Sequence, residues 1–517
     1  MNAMGNTALS QRRPYNATVR NVALILEHGG VPEGQRRRND GVRCAPRVTS
    51  LRRRIGVLLW LLPEVVLGAT IGCGTPHRPD VIILVIDALR ADHLSCDGYQ
   101  RDTTPAIDRF AEDSVRFSQA ISQSTFTGCS IASLFTGRYP HRHGLYWGSL
   151  MDTGEETVSA HILGEGEVTI AEILKKHGYD TGAWLHNRML RQGLGFDQGF
   201  DVYHEQRGSK QGSTAKLSRQ FLAWAVARSQ RERPFFAYLH VLDLHDPYLP
   251  PPPFDTRYGS FSDVYSEKDL SHWGKFLHGV EEGRRELSKA ELDQLIALYD
   301  GELRFIDNEI GQFLRLLRDA NLYDRSLIIL TADHGDGFME HGFLSHSRAP
   351  YDELCHVPLI IKFPGQRHAG HVVASQVRLI DIMPTVLDVV GVNDGDRPEM
   401  DGASLVSLTA GPRWLQARKP LDRPAITEIL LKGERLTVAV RDGHYKFIMR
   451  QGGPDEFYDL KRDPGEKLNL AGSAGPVEKR LQDQALRVIN ERSQGQSSKA
   501  PVDAKTLEDI RALGYVE

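Results

Sequence analysis

Long apolar runs alternate with amphipathic stretches along this chain, and the alternation predicts an α/β protein. Asp80-Val-Ile-Ile-Leu-Val-Ile86 is continuous and β-branched, as expected of a parallel strand buried on both faces. Phe235-Phe-Ala-Tyr-Leu-His-Val241 and Ser326-Leu-Ile-Ile-Leu-Thr331 carry the same pattern. Between them, Thr104-Pro105 reads as an N-cap followed by proline at the first helical position, opening a helix to about Phe110. Residues 299–318 place Leu303, Ile306, Ile310, Phe313, Leu314 and Leu317 on one helical face. Strands alternating with helices predict a mostly parallel central sheet sandwiched by helices, over residues 79–395. Beyond residue 396 the pattern changes. Leu436–Val440, an Asp442-Gly443 turn and His444–Ile448 predict an antiparallel hairpin, hence a smaller C-terminal α+β subdomain at 396–492. Residues 493–517 read as a linker (SQGQSSKA, 493–500) and a short tail.

The N-terminal residues follow different rules. Residues 1–47 are Arg-rich and aperiodic, and are expected to be a disordered extension or the product of a start codon assigned too early. In residues 48–78, Arg52-Arg53-Arg54 precedes the 17-residue apolar stretch 55–71, the layout of an export signal. Interrupted by Pro63 and Glu64, that stretch is marginal for crossing a bilayer core of about 30 Å. It ends in Thr70-Ile71-Gly72-Cys73, which resembles a bacterial lipobox with Cys73 as the lipid acceptor. The expectation is an exported protein of the cell envelope or periplasm, held at the membrane by an N-terminal lipid or a single anchor.

Composition narrows the classes. With 517 residues, 40% hydrophobic and 25% charged, the chain is globular, neither bulk-disordered nor a polytopic membrane protein. The net charge of −4 hides an asymmetry: residues 1–73 hold 11 Arg, no Lys and 4 acids, leaving −11 on the remainder. A folded body of that sign argues against nucleic acid as a partner. Cys44, Cys73, Cys96, Cys129 and Cys355 are too few and scattered for a disulfide framework or a zinc knuckle.

Ligands of open α/β sheets bind outside the carboxyl ends of the strands. Asp87 directly follows the first strand run, Asp243 and His245 the second, and Asp333-His334 the third. Any one of these acids reads as a helix cap, but three strand ends together with a DHG turn point to a divalent-metal site.

The residues around these positions carry a family resemblance. PDVIILVIDALRADHLSCDGY (79–99), TTPAIDRFA (103–111), SLFTGRYPHRHG (133–144), YDGELRFIDNEIG (299–311) and TADHGDGFMEHG (331–342) resemble the sulfatase family of the alkaline phosphatase superfamily. YDELCHVPLIIKFPG (351–365), LIDIMPTVLDVVG (379–391) and FYDLKRDPGEKLNLA (457–471) extend the match, which runs to Leu513-Gly514-Tyr515. The resemblance implies an alkaline phosphatase-like fold and a hydrolase of anionic esters, a sulfated glycan or a phosphoester, with one bound divalent ion.

The departure from the family pattern is informative. Sulfatases carry Cys-x-Pro-Ser-Arg ahead of a Leu-Thr-Gly turn, and that cysteine becomes formylglycine. Counting back ten residues from Gly137 puts the nucleophile position at Thr127, with Cys129 at the proline position and Ile131 at the arginine position. A motif starting at Cys129 would meet Ile131 and Ser133 where it needs proline and arginine, so no formylglycine is expected. Thr127 precedes Ser130–Phe135, a segment expected to start a helix whose N-terminus favours a tetrahedral anion.

By matched position the metal ligands are Asp87, Thr127, Asp333 and His334. Ala88 stands where sulfatases have a second acid. Losing a carboxylate and gaining an imidazole favours Mn²⁺ or Zn²⁺, whereas the family resemblance implies Ca²⁺. His245 and His346 match family histidines placed to bind the anion or protonate the leaving group, and join Thr127 as candidate catalytic residues. Arg138, His186 and Asn187 are candidate substrate-binding residues, Arg138 by supporting the nucleophile loop. His141 and His143 read as structural. Two readings remain open: a metal-dependent ester hydrolase, or a catalytically silent relative that binds an anionic glycan or scaffolds a complex.

Overall fold

A computed structural model describes residues 78–146, 158–228, 233–259, 272–346, 348–409, 423–431, 435–473, 475–492 and 499–502. The signal and lipobox reading at 48–77, the extension before it and most of the tail lie outside the described residues. Among the described residues, no helix is long and apolar enough to cross a membrane.

A nine-stranded sheet forms the centre. Its parallel heart sets Leu327–Thr331, Val81–Ile86, Phe235–Val241, Asp180–Leu185 and Val202–Glu205 side by side. His356–Lys362 runs antiparallel to both of its neighbours, Leu327–Thr331 and Val115–Ile121. The first strand is wholly buried, which explains why its sequence is apolar without alternation. The helix expected at Thr104 spans Pro105–Glu112. The amphipathic stretch at 299–318 belongs to a longer helix, Lys289–Asp319, that opens on a capping box between Ser288 and Glu291.

The hairpin at the Asp-Gly turn forms as expected. Arg435–Asp442 pairs antiparallel with Tyr445–Arg450, and Gly443 takes φ +60° at the turn. Ala425–Leu431 and Glu456–Asp459 complete a four-stranded antiparallel sheet, and the helix Pro476–Arg492 packs on it. Lys499–Val502 pairs with Val158–His161, so the stretch read as a linker ends in a strand.

The two sheets meet at the segment leading to Thr127. Thr427 Oγ1 donates to the Ser122 carbonyl (2.7 Å), Glu428 N–H to the Gln123 carbonyl (2.9 Å), and Ser124 Oγ to the Glu428 carbonyl (2.9 Å). The buried Glu428 carboxylate also bonds His141 Nδ1 (2.6 Å) and accepts from the Tyr146 hydroxyl (2.5 Å).

Candidate active site

Four parallel strands deliver the chemistry to one edge. Asp87 extends Val81–Ile86 and is tied to the neighbouring strand by its N–H to the Val241 carbonyl (3.0 Å). Asp333 and His334 follow Leu327–Thr331. His240 lies in register with Val85 and with Leu185, and Asn187 comes just beyond that second strand. Thr127 is the first residue of the helix Thr127–Thr136, after Phe126 in an extended conformation. The helix thus begins at Thr127 rather than after it, because the backbone can wind as soon as Ser130 N–H reaches the Phe126 carbonyl (2.9 Å).

Four donor atoms converge. Asp87 Oδ1 and Asp333 Oδ2 are fully buried and have no hydrogen-bond partner, a costly state for a carboxylate oxygen. His334 Nε2 lies 3.8 Å from the first, 3.4 Å from the second and 3.3 Å from Thr127 Oγ1. His334 Nδ1 is 2.9 Å from the Gly335 carbonyl, which fixes its proton there and leaves the Nε2 lone pair free for a metal. Ligands bound at about 2.1 Å in tetrahedral geometry stand roughly 3.4 Å apart, so these separations fit a divalent ion. Burial and the charge of Asp87 push the Asp333 carboxyl up. Burial acts the same way on Asp87, but the His240 hydrogen bond and the charge of His245 oppose it, and that carboxyl is held well below the usual range. A cation between two facing carboxylates relieves their repulsion. Asp87, Asp333, His334 and Thr127 therefore suit one.

The opposite wall is organised differently. His245 Nδ1 pairs with Asp246 Oδ1 (2.7 Å), and Asp246 Oδ2 accepts from Trp273 Nε1 (2.7 Å). Both oxygens of Asp246 are thereby used to orient His245. Burial lowers the His245 pKa, but the charge and hydrogen bond of Asp246 prevail and raise it to about 10. His346 packs edge-on to His245, with ring centroids 4.8 Å apart, and stacks on His334 at 4.3 Å. Burial and the charges of His334 and His245 press its pKa well below the ordinary value. Behind it, Asp336 accepts from the Tyr248 hydroxyl, and burial with the charge of Asp246 raises its carboxyl to about 8.

The other sequence candidates scatter. Asn187 Oδ1 accepts from Met189 N–H (2.8 Å), turning Nδ2 toward Asp87 Oδ2 (2.5 Å) and Thr127 Oγ1 (3.4 Å). His186 is buried, with Nε2 3.1 Å from the Gly208 carbonyl. Arg138 follows the far end of the ten-residue helix that opens at Thr127, about 15 Å away along its axis, and pairs with both oxygens of Glu167 at 2.8 Å. Asp243 turns from the cluster to cap the helix Ser213–Arg228, accepting from the Ser213 and Thr214 amides at 3.0 and 2.7 Å, so only two of the three strand ends bring acids to the cluster. His141 and His143 hold Glu428 and Ser133. Cys129 is buried, and burial pushes its thiol far up. His240 escaped the sequence reading, because one histidine inside an apolar strand run looks like core. Trp273 is remote in sequence and carries no motif. Asp246 was within reach, since it adjoins His245.

Comparison with known proteins gives this arrangement a family. The sulfatase family model matches residues 79–392, and a second, N-sulphoglucosamine sulphohydrolase C-terminal, matches residues 339–492. The chain is 26% identical over 486 residues to the multifunctional alkaline phosphatase superfamily protein PehA of Trinickia caryophylli, covering 76% of this chain and 91% of that protein. It is 26% identical over 453 residues to an arylsulfatase of Clostridium perfringens (strain 13 / Type A), covering 77% and 91%. Among solved structures, the phosphonate monoester hydrolase of Agrobacterium radiobacter superposes with a TM-score of 0.63 at 21% identity, over 81% of this chain and 96% of that one, a likeness of fold. With the sulfatase model spanning well over half of the sequence and the strand-end acids inside it, this chain belongs to the sulfatase family of ester hydrolases.

Proposed function

We propose that this chain is a metal-dependent ester hydrolase whose nucleophile is Thr127 in place of formylglycine, and that it prefers phosphate or phosphonate esters to sulfate esters. The observation that carries the reading is Thr127 Oγ1 at a helix N-terminus, 3.3 Å from His334 Nε2, beside two partnerless carboxylate oxygens.

A divalent ion held by Asp87, Asp333, His334 and Thr127 supplies Lewis acidity, favouring the deprotonated threonine and the charge of the reacting group. Asn187 Nδ2 donates toward Thr127 Oγ1 and stabilises it in that form. The first amides of the helix face the anion and favour its tetrahedral charge. His245, oriented through Nδ1 and kept protonated by Asp246, gives its Nε2 proton to the departing alcohol oxygen as the Thr127 ester forms. The neutral His245 then takes a proton from the water that attacks the threonyl ester and releases the anion. That second attack falls on the central atom, a step that a formylglycine hydrate avoids for sulfate by collapsing to the aldehyde. Relatives named ulvan-active sulfatase and N-acetylglucosamine-6-O-sulfatase make a sulfated glycan the competing substrate.

The test is kcat/KM measured side by side for an aryl sulfate, an aryl phosphate, a phosphodiester and a phosphonate monoester, with Mn²⁺, Zn²⁺ or Ca²⁺ supplied. Phosphorus esters are expected to win. An aryl sulfate ahead by more than about tenfold, roughly 1.4 kcal/mol of transition-state stabilisation, refutes the substrate preference. No turnover of any ester by metal-loaded protein supports the silent, glycan-binding reading instead. The basic run, apolar stretch and Cys73 support an exported, lipid-anchored envelope protein, and membrane release of a Cys73→Ala variant tests that.

A further inference from the structure

Both carboxylates of the metal centre are half committed. Asp87 Oδ2 accepts from Asn187 Nδ2 (2.5 Å) and from His240 Nε2 (3.0 Å). Asp333 Oδ1 accepts from the amides of His334 (3.0 Å) and Ala88 (3.3 Å). Ala88, which donates the second of these bonds, adopts a left-handed conformation, φ +58°. Each acid therefore presents one free oxygen to the centre.

The His240 contact is itself oriented from behind. Its Nδ1 lies 2.7 Å from the Tyr238 hydroxyl. A phenol that donates to Nδ1 places the imidazole proton on Nε2, aimed at Asp87. The Tyr238 ring packs edge-on against Phe135 of the Thr127 helix, with centroids 4.8 Å apart, so the relay is braced on the element that carries the nucleophile. Both residues are at most 1% exposed.

We propose that Tyr238 and His240 are positioning residues that keep Asp87 monodentate and thereby set the centre's preference for Zn²⁺ or Mn²⁺ over Ca²⁺. The proposal rests on the metal centre described above. With one oxygen from each acid, His334 Nε2 and Thr127 Oγ1, the chain offers four donors, one of them nitrogen. Zn²⁺ is content with about four ligands and accepts imidazole, whereas Ca²⁺ takes about six to eight oxygens and often binds carboxylates through both. Position 88, beside Asp87, is alanine and adds no further oxygen donor. Releasing Asp87 Oδ2 returns a donor to the centre and favours the larger ion.

Equilibrium titration of the metal-free protein with Zn²⁺, Mn²⁺ or Ca²⁺ alone tests this, with the melting temperature of each metal-free variant as the control for folding. Wild type is expected to bind one ion per chain, Zn²⁺ or Mn²⁺ more tightly than Ca²⁺ by at least about 100-fold. His240→Leu is expected to weaken Zn²⁺ by about 10- to 100-fold, the range found for residues that orient metal ligands, and to narrow its lead over Ca²⁺. Tyr238→Phe keeps the ring packing and is expected to lose affinity in the same direction, by about tenfold or less. His240→Gln returns a donor to the position of Nε2 and is expected to recover most of the loss. Unchanged Zn²⁺ affinity in both folded variants, Tyr238→Phe and His240→Leu, overturns the proposal, as does a wild type that prefers Ca²⁺. A folded wild type that binds none of the three ions overturns the metal centre itself, and the proposal with it.

Discussion

The two walls of the site handle buried polarity in opposite ways. On one, Asp87 and Asp333 each keep an oxygen without a partner, and four donor atoms crowd together. On the other, Asp246 engages both oxygens, one with His245 and one with Trp273, even though His245, Asp246 and His346 also bring ligand atoms close together. Leaving a buried carboxylate oxygen unpaired costs about 1–3 kcal/mol or more, and a cation between two such oxygens would relieve that cost. A wall that satisfies its acid completely is arranged to hold an imidazole and its proton. The contrast assigns chemistry more sharply than residue types do, since both walls are made of aspartate and histidine.

Breaking the metal wall should cost most. Thr127→Ala removes the proposed nucleophile without opening a large cavity, so thermal unfolding should be little changed while kcat falls by at least about three orders of magnitude. Activity equal to wild type would end the assignment. An Asp87→Ala, Asp333→Ala double variant should lose stoichiometric metal by elemental analysis together with turnover. A full metal complement in that protein would mean the ion sits elsewhere.

Breaking the imidazole wall should cost less, and selectively. Asp246→Asn withdraws the charge that raises His245 to about 10. The expected loss is about 100-fold for alkyl esters, whose alcohols need a proton, and far less for activated aryl esters. The rate should also fall as pH rises past neutrality, because the variant's His245 gives up its proton earlier. A uniform loss across leaving groups would remove His245 as the acid. Cys129→Ser sharpens the comparison from the quiet end. The buried thiol belongs to neither wall, so kcat/KM should stay within about twofold. Intact-mass measurement should find Cys129 unmodified, and a formylglycine there would shift the whole motif register.

How much was legible follows from what each residue does locally. Continuous apolar runs such as Val81–Ile86 announce central strands, and an acid just past such a run stands out, which is why Asp87 and Asp333 could be read. The Asp-Gly turn reported its hairpin for the same local reason. His240 is the counterexample: its meaning comes from Asp87 on the adjacent strand, and the pairing that joins them is not written in either segment. Arg138 shows the reverse error, a conspicuous cation near the nucleophile in sequence that the helix carries away to Glu167. The first turns of Lys289–Asp319 went unread although Leu292, Leu295, Ile296 and Tyr299 continue the same stripe, because the reading began at Tyr299 and missed the Ser288 and Glu291 cap upstream.

The hydrogen bonds between Ala425–Leu431 and Ser122–Ser124 bear on inheritance. An appended module evolves freely when nothing upstream depends on it, and recombination can trade it between relatives. Here the C-terminal sheet is a wall of the loop that leads to Thr127, and Glu428 is locked to His141 and Tyr146 in the segment downstream of the helix Thr127–Thr136. Any exchange of the sheet with a relative's must carry residues 122–146 along with it, so the two pieces are bound to drift as one lineage. A chimera with its junction between them should fold its two halves and still misplace Thr127.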